Sequence, residues 1–237
     1  MGYDSMLRAL VDVRDRQVQK ARIQFGNRVS ALERGDDDGQ HTDQLAIAQR
    51  WAARFEELES ELDKDIKAAV KEYPIYELMV EVKGVGPMTA AKLISMIDIT
   101  AAPHVSSLWR YAGYAVIDGE RERPVKGEKL HYNKRLKTAC YLLGGSFLKS
   151  NSPYRTVYDR AREKYALTKP DWTKAHQHQA AMRKMIKMFL SNLWVVWREL
   201  EGLPVTEPYV HAHLGHEHYY SPAEFGWPVG SAAVVNK

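Results

Sequence analysis

Apolar residues recur at helical spacing along most of this chain. From Asp4 to Glu33, Val11, Val18, Phe25 and Leu32 repeat every seven residues, with Leu7, Ala21 and Val29 partly filling the positions between. Gly35-Asp36-Asp37-Asp38-Gly39 then breaks the helix as a solvated turn; it lacks the spaced ligands and terminal Glu of a calcium loop. Asp43 to about Tyr73 predicts a second helix, with Leu45, Ala48, Ala52, Phe55, Leu58, Leu62, Ile66 and Ala69 at spacings of three and four. Two long helices joined by a short turn fold back as an antiparallel hairpin, a coiled-coil arm over residues 1–73. Each stripe is narrow and calls for a partner. A second copy would make this a dimerisation arm and the protein a homo-oligomer through its N-terminal helices, while packing on the chain's own C-terminal part would serve equally; both readings stay open.

Pro74 closes the arm, and Leu78, Val82, Leu93, Ile94 and Ile97 give apolar stripes to two short helices separated by Lys83-Gly84-Val85-Gly86-Pro87. Ser106 to Tyr111 predicts a short helix, and Gly113 to Gly119 is the best strand candidate, ending on Asp118-Gly119. Arg121 to Lys129 reads as a polar loop. Tyr132–Lys149 returns to helix with Leu136, Ala139, Leu143 and Phe147 inside, and Tyr154–Tyr165 follows after Ser152-Pro153. A long helix from Trp172 to Leu200, capped by Asp171, carries Met185, Met188, Phe189, Trp194 and Trp197 and should close the core. The expected architecture is mainly α: the arm, a compact helical domain over 74–200, and an irregular His- and Pro-rich tail over 201–237.

Charge sharpens this picture. Residues 120–187 hold seventeen Lys and Arg against six Asp and Glu, whereas the flanking regions are acidic and the whole chain is only +4. The positive field thus follows directly after the Gly84–Gly86 turn, which favours a nucleic-acid surface. No apolar run is long enough to span a bilayer, no membrane partner is expected, and nothing at the N-terminus resembles a signal peptide. With Cys140 alone there is no internal disulfide, which fits the cytoplasm, and its apolar neighbours mark it as a buried small hydrophobe.

In the turn itself, Gly84 and Gly86 are expected to supply φ angles that residues with a Cβ reach only at a cost, and Pro87 suits the first turn of the second helix. Such a turn exposes backbone N–H groups at the positive end of a helix dipole, which suits a phosphate oxygen. This is the physics of a helix-hairpin-helix. A dinucleotide fingerprint would need a third glycine at Thr89 and a preceding strand, and Ile75–Val82 has no strand-like alternation. A turn that merely packs the core is the plain alternative.

Residues 78 to about 197 resemble the C-terminal domain of insertion-sequence transposases of the bridge-RNA-guided serine recombinase family. The matching segments are Val82-Lys83-Gly84-Val85-Gly86-Pro87-Met88-Thr89-Ala90, Trp109-Arg110-Tyr111-Ala112-Gly113-Tyr114, Tyr132-Asn133-Lys134-Arg135-Leu136-Lys137 and Asn151-Ser152-Pro153-Tyr154-Arg155 with Tyr158. The preceding arm is similar to that family's coiled coil. Two departures stand out. The family's RuvC-like domain has no counterpart in these residues, and the loop that carries its serine nucleophile reads Val116-Ile117-Asp118-Gly119-Glu120-Arg121-Glu122-Arg123, without a hydroxyl. Ser106, Ser107 and Ser146 fit that role poorly. The resemblance therefore implies a DNA-binding relative without strand-transfer chemistry of its own, so no catalytic residue is named.

The expected phosphate contacts are Lys83, Gly84, Val85, Gly86, Thr89 and Lys92 on one strand, with Arg121, Arg123, Lys126, Lys129, Lys134, Arg135 and Lys137 as the surrounding positive surface. The partner is DNA, with structured or RNA-containing forms left open. A recombinase completed in trans and a purely helical oligomerisation module are the two alternatives. No cofactor is expected. His211, His213, His216 and His218 could hold a structural metal only if the backbone bends around it, and their spacing matches no standard site. His176 and His178 could contact phosphates, and the carboxylate pairs of a two-metal nuclease are not evident.

Overall fold

A computed structural model describes residues 5–35, 42–117, 120–121, 126–127, 129–205 and 221–228. The protein is mainly α-helical and divides into two compact units, Tyr3–Glu72 and Tyr73–Lys237. The His211–His218 cluster lies outside the described residues.

In the first unit, α1 (Ser5–Val13) passes through a π-helical turn, Arg14–Val18, into α2 (Gln19–Glu33), which packs along α3 (Thr42–Ala69). Val70–Glu72 ends the run as a 3-10 turn. The seven-residue repeat is only partly buried: Leu7, Val11 and Val18 are inside, as are Ala48 and Ile66 on α3, but Phe25 and Leu32 are half-exposed. Phe25 instead stacks on Trp51 and Phe55, with ring centroids 6.3 and 5.8 Å away.

A charged network lies between these helices. Glu59, only 7% exposed, receives Arg14 at 2.7 Å, Gln19 at 3.1 Å and Arg22. Arg14 also reaches Asp63 at 2.8 Å and Asp15 at 3.0 Å. Burial pulls the Arg14 pKa down, but hydrogen bonds to Asp63 and Asp15 and the charges of Asp63 and Glu59 outweigh it and hold it above its ordinary value. Such a network is satisfied only in one register of α1–α2 against α3.

The second unit contains α4 (Pro74–Glu81), α5 (Pro87–Met96), α6 (Val105–Tyr111), α7 (Lys134–Lys149), α8 (Arg155–Thr168) and α9 (Lys174–Leu200). Its core is aromatic. Phe147 of α7 lies 4.9 Å from Tyr154 and 5.3 Å from Phe189 of α9, between ring centroids. Tyr154 accepts hydrogen bonds from Asn192 at 2.8 Å and Trp227 at 2.7 Å, and burial pushes its pKa well up. At the far end of α9, Trp194 donates to the Ala102 carbonyl at 2.7 Å, and Arg198 donates to the carbonyls of Ile99, Ala102 and Pro204. Cys140 is fully buried, with its thiol pushed up to about 12.

Several local expectations change. The strand candidate shrinks to β1 (Val116–Ile117), paired antiparallel with β2 (Glu120–Arg121), so Arg121 belongs to a strand instead of a loop. α7 begins at Lys134 because Asn133 caps it, accepting from the amides of Arg135 and Leu136. Thr173, not Asp171, caps α9 by accepting from the His176 amide at 3.1 Å. The supposedly irregular tail includes a 3-10 turn, Pro222–Phe225, whose capping box joins Ser221 and Glu224. That turn delivers Phe225 and Trp227 to the core, where Phe225 stacks 4.4 Å from Tyr154.

Replacing Glu59 by Ala leaves two guanidinium groups without their shared carboxylate. We expect the first unit to lose about 3 kcal/mol of stability, read as a lower urea midpoint by circular dichroism; an unchanged midpoint would show that the network is not structural.

Candidate nucleic-acid interface

The α4–α5 turn is built from short-range bonds and one unusual backbone angle. The Val82 amide donates to the Met79 carbonyl at 3.2 Å, and the Val85 amide to the Val82 carbonyl at 2.9 Å. Between them Gly84 has φ +102°, a region that side chains with a Cβ rarely adopt. Val85 turns into the core at 6% exposure.

The inner side of the turn is fixed to the C-terminal end of α7. Ser146 Oγ donates to the Gly84 carbonyl at 2.8 Å. A Cβ on Gly84 would lie 2.8 Å from Ser150 Oγ and 2.9 Å from Phe147 Cδ1, both impossibly close. Gly86 differs. It precedes α5 in extended backbone, φ −93° and ψ 164°, and a Cβ there would meet nothing within 4 Å. The expectation that both glycines need special φ angles therefore holds for Gly84 alone, because the chain has already completed its bend before Gly86.

The hydrogen-bond ladder of α5 begins with the Ala90 amide on the Gly86 carbonyl at 3.0 Å. Among the described residues, the amides of Gly84, Gly86, Met88 and Thr89 meet no hydrogen-bond partner, and Pro87 has no N–H to offer. Gly84, Gly86, Thr89 and Lys92 are half-buried, while Lys83 and Pro87 are exposed. The start of α5 thus combines unpaired donors with the positive end of its dipole.

Lys134, Arg135 and Lys137 do not adjoin this turn. Lys134 and Lys137 are at the opposite end of α7 from Phe147, about 20 and 15 Å away along the helix axis. Lys134 is exposed; Arg135 and Lys137 are half-buried, with Lys137 Nζ over the Tyr132 ring at 4.2 Å. Lys126 and Lys129 are exposed, Arg121 lies in β2, and Arg123 is outside the described residues.

Sequence reasoning missed the seat of the turn, and of a second basic region it saw only that His176 and His178, among Lys174, Arg183 and Lys184, could contact phosphates. Ser146 adjoins the buried Phe147, so a hydroxyl there was a signal of a buried acceptor. The second region is an open cavity of about 580 Å³ beside α9, lined by Arg183, Lys184 and Lys187 and by Tyr165, Trp172 and His176. Trp172 and His176 stack with centroids 4.1 Å apart and planes 7° from parallel. His176 is thus held by an aromatic neighbour, and His178 shares a 2.7 Å hydrogen bond with the Tyr158 hydroxyl.

The tyrosines and tryptophan of the matching segments mostly serve as ties. Trp109 donates to the Lys187 carbonyl at 3.2 Å, Tyr111 to the Met96 carbonyl at 3.1 Å, and Tyr114 to the Lys137 carbonyl at 3.2 Å. They hold α5, α6, α7 and α9 in register around the turn.

No family model matches the chain. Over 141 residues, 58% of its length, the chain is 26% identical to an uncharacterized 43.6 kDa protein of the insertion element IS110 from Streptomyces coelicolor. It covers 32% of that protein, so it spans about a third of the length of the relative it matches. Among the described residues no helix is long and apolar enough to cross a membrane, and no cluster of His, Cys, Asp and Glu could hold a metal ion.

The two glycines should separate by stability. Gly84→Ala faces both the left-handed penalty and a collision with α7 and should cost about 2 kcal/mol or more, whereas Gly86→Ala should stay within about 0.5 kcal/mol of the parent. Thermal unfolding of the pair checks this; equal melting temperatures would refute the seating of Gly84.

Proposed function

We propose that the protein is a transposase-related DNA-binding protein that grips the phosphate backbone through a helix-hairpin-helix formed by α4, the Gly84–Gly86 turn and α5. The single observation that carries this reading is the row of amides without an internal partner at the half-buried Gly84, Gly86, Met88 and Thr89, in the turn and at the positive end of α5 that follows it. Gly86 adds to it: the space a side chain would fill is open, so a phosphodiester can approach the main chain closely. Lys83 and Lys92 flank the same turn and supply charge to the strand it holds.

Lys134, Arg135 and Lys137 would extend the grip at the other end of α7, and Arg121, Arg123, Lys126 and Lys129 would add further phosphate contacts. A separation of about 20 Å corresponds to roughly six base-pair rises of duplex DNA, so the two regions would meet phosphates well apart along the partner. Contacts of this type position a protein without reading sequence. The similarity to an insertion-element protein agrees with a role around mobile DNA. The loop from Val116 to Arg123 offers no hydroxyl to form a covalent link to a DNA phosphate, which favours binding over strand transfer. Pairing of two copies through α1–α3 would give an assembly that carries two such grips.

If about six phosphates are neutralised, log affinity for a duplex should fall against log salt with a slope of roughly −5. Gly86→Asp, which puts a negative charge where the phosphate would sit, should weaken binding by more than about tenfold at low salt without unfolding the protein. Fluorescence anisotropy with a labelled duplex reads both. A flat salt response, or a Gly86→Asp variant that binds like the parent, would contradict the reading.

A further inference from the structure

The cavity beside α9 has a composition that a duplex grip does not use. It is bounded by the C-terminal part of α8, the N-terminal half of α9 and Val116 of β1, and among the described residues no acidic one lines it. One wall carries Arg183, Lys184 and Lys187, within two turns of α9. Toward the start of the same helix lies a pile of rings: Tyr165 lies 5.4 Å from Trp172, which stacks on His176 of α9. His176 is exposed, so the pile ends in a ring open to solvent.

The cations here are held at a cost. Lys187 Nζ sits 3.8 Å from the centre of the Trp109 ring, and Arg183 lies over Tyr114. Burial lowers the Lys187 pKa, with the Arg183 charge adding to it; burial likewise lowers that of Lys184, with Lys164 adding. Lys184 and Lys187, like charges on one helix and both partly desolvated, favour an anionic occupant, which would relieve both effects. The volume falls within the range of about 300–1,000 Å³ common for ligand pockets, and flat rings beside cations match the two faces of a nucleotide.

We infer that this groove binds a single-stranded segment of nucleic acid, one base extending the Trp172–His176 stack while neighbouring phosphates lie among Arg183, Lys184 and Lys187. Stacking platforms beside cationic walls are the physical basis of sequence-tolerant single-strand binding. A base paired within a duplex cannot reach such a ring, so the groove selects unpaired strand. It is a site distinct from the α4–α5 turn, and its occupancy does not depend on the duplex grip.

The test uses the full chain and three fluorescein-labelled probes: a short oligothymidylate, an abasic strand of the same length, and a duplex. Anisotropy should show the oligothymidylate binding about tenfold or more tightly than the abasic strand, the worth of one stacked base. Trp172→Ala and, since Trp172 also supports Tyr165, the milder His176→Ala should each remove most of that advantage. Lys184→Glu should weaken both strands about equally. Duplex affinity should be unchanged in His176→Ala and reduced in Gly86→Asp, so failure of one site is read apart from failure of the other. Equal binding of abasic and base-bearing strands, or an oligothymidylate affinity unmoved by His176→Ala, would overturn the stacking site; no binding of any single strand would overturn the groove as a whole.

Discussion

The Gly84 carbonyl is held by the Ser146 hydroxyl at 2.8 Å while its α-carbon rests against Phe147, too close for any side chain to intervene. Nearly everything else in the second unit is connected to that contact. Phe147 in turn packs on Tyr154 and Phe189, and Tyr154 joins Asn192 of α9 to Trp227. A turn that would otherwise be a loose link between two short helices is therefore seated on the aromatic core. Its inner side is fixed in this way, and among the described residues the amides of Gly86, Met88 and Thr89 that follow meet no internal partner.

The same arrangement separates structure from proposed chemistry. Gly84 serves the fold, through a positive φ and a close approach to α7; Gly86 serves neither, since its backbone is ordinary and its missing side chain would meet open space. A glycine without a conformational or packing reason is what a close backbone approach by a ligand would need. The basic residues divide similarly. Lys83 and Lys92 adjoin the turn, Lys134, Arg135 and Lys137 occupy the far end of α7, and Arg183, Lys184 and Lys187 form the wall of a separate groove. Three short cationic regions, each with different neighbours, fit a partner that presents phosphates over a distance better than a compact anion.

The helices were legible because their apolar spacing is regular, and the turn because Gly-x-Gly-Pro between two apolar stripes has few other uses. The charge balance of residues 120–187 also pointed to a positive surface. What it could not reveal was how that surface divides, since linear charge density says nothing about which end of α7 a lysine occupies. The cap of α9 moved from Asp171 to Thr173 because either residue type suits the position and only the local backbone decides. Phe225 and Trp227 escaped notice for a different reason: two large rings in a Pro- and Gly-rich segment carry no periodicity, and their place in the core is set by a partner, Tyr154, some seventy residues earlier. The Trp172–His176 pair spans a helix start, where an aromatic and an imidazole four residues apart fall on one face.

The most direct measurement is a titration of the isotopically labelled protein with a short DNA duplex, followed by amide nuclear magnetic resonance. The account predicts that the backbone resonances of Gly84, Gly86, Met88 and Thr89 shift downfield as their donors engage phosphate, and that these shifts reverse on adding salt. Saturated binding that leaves those amides unmoved, with the changes confined to other faces of the protein, would contradict it.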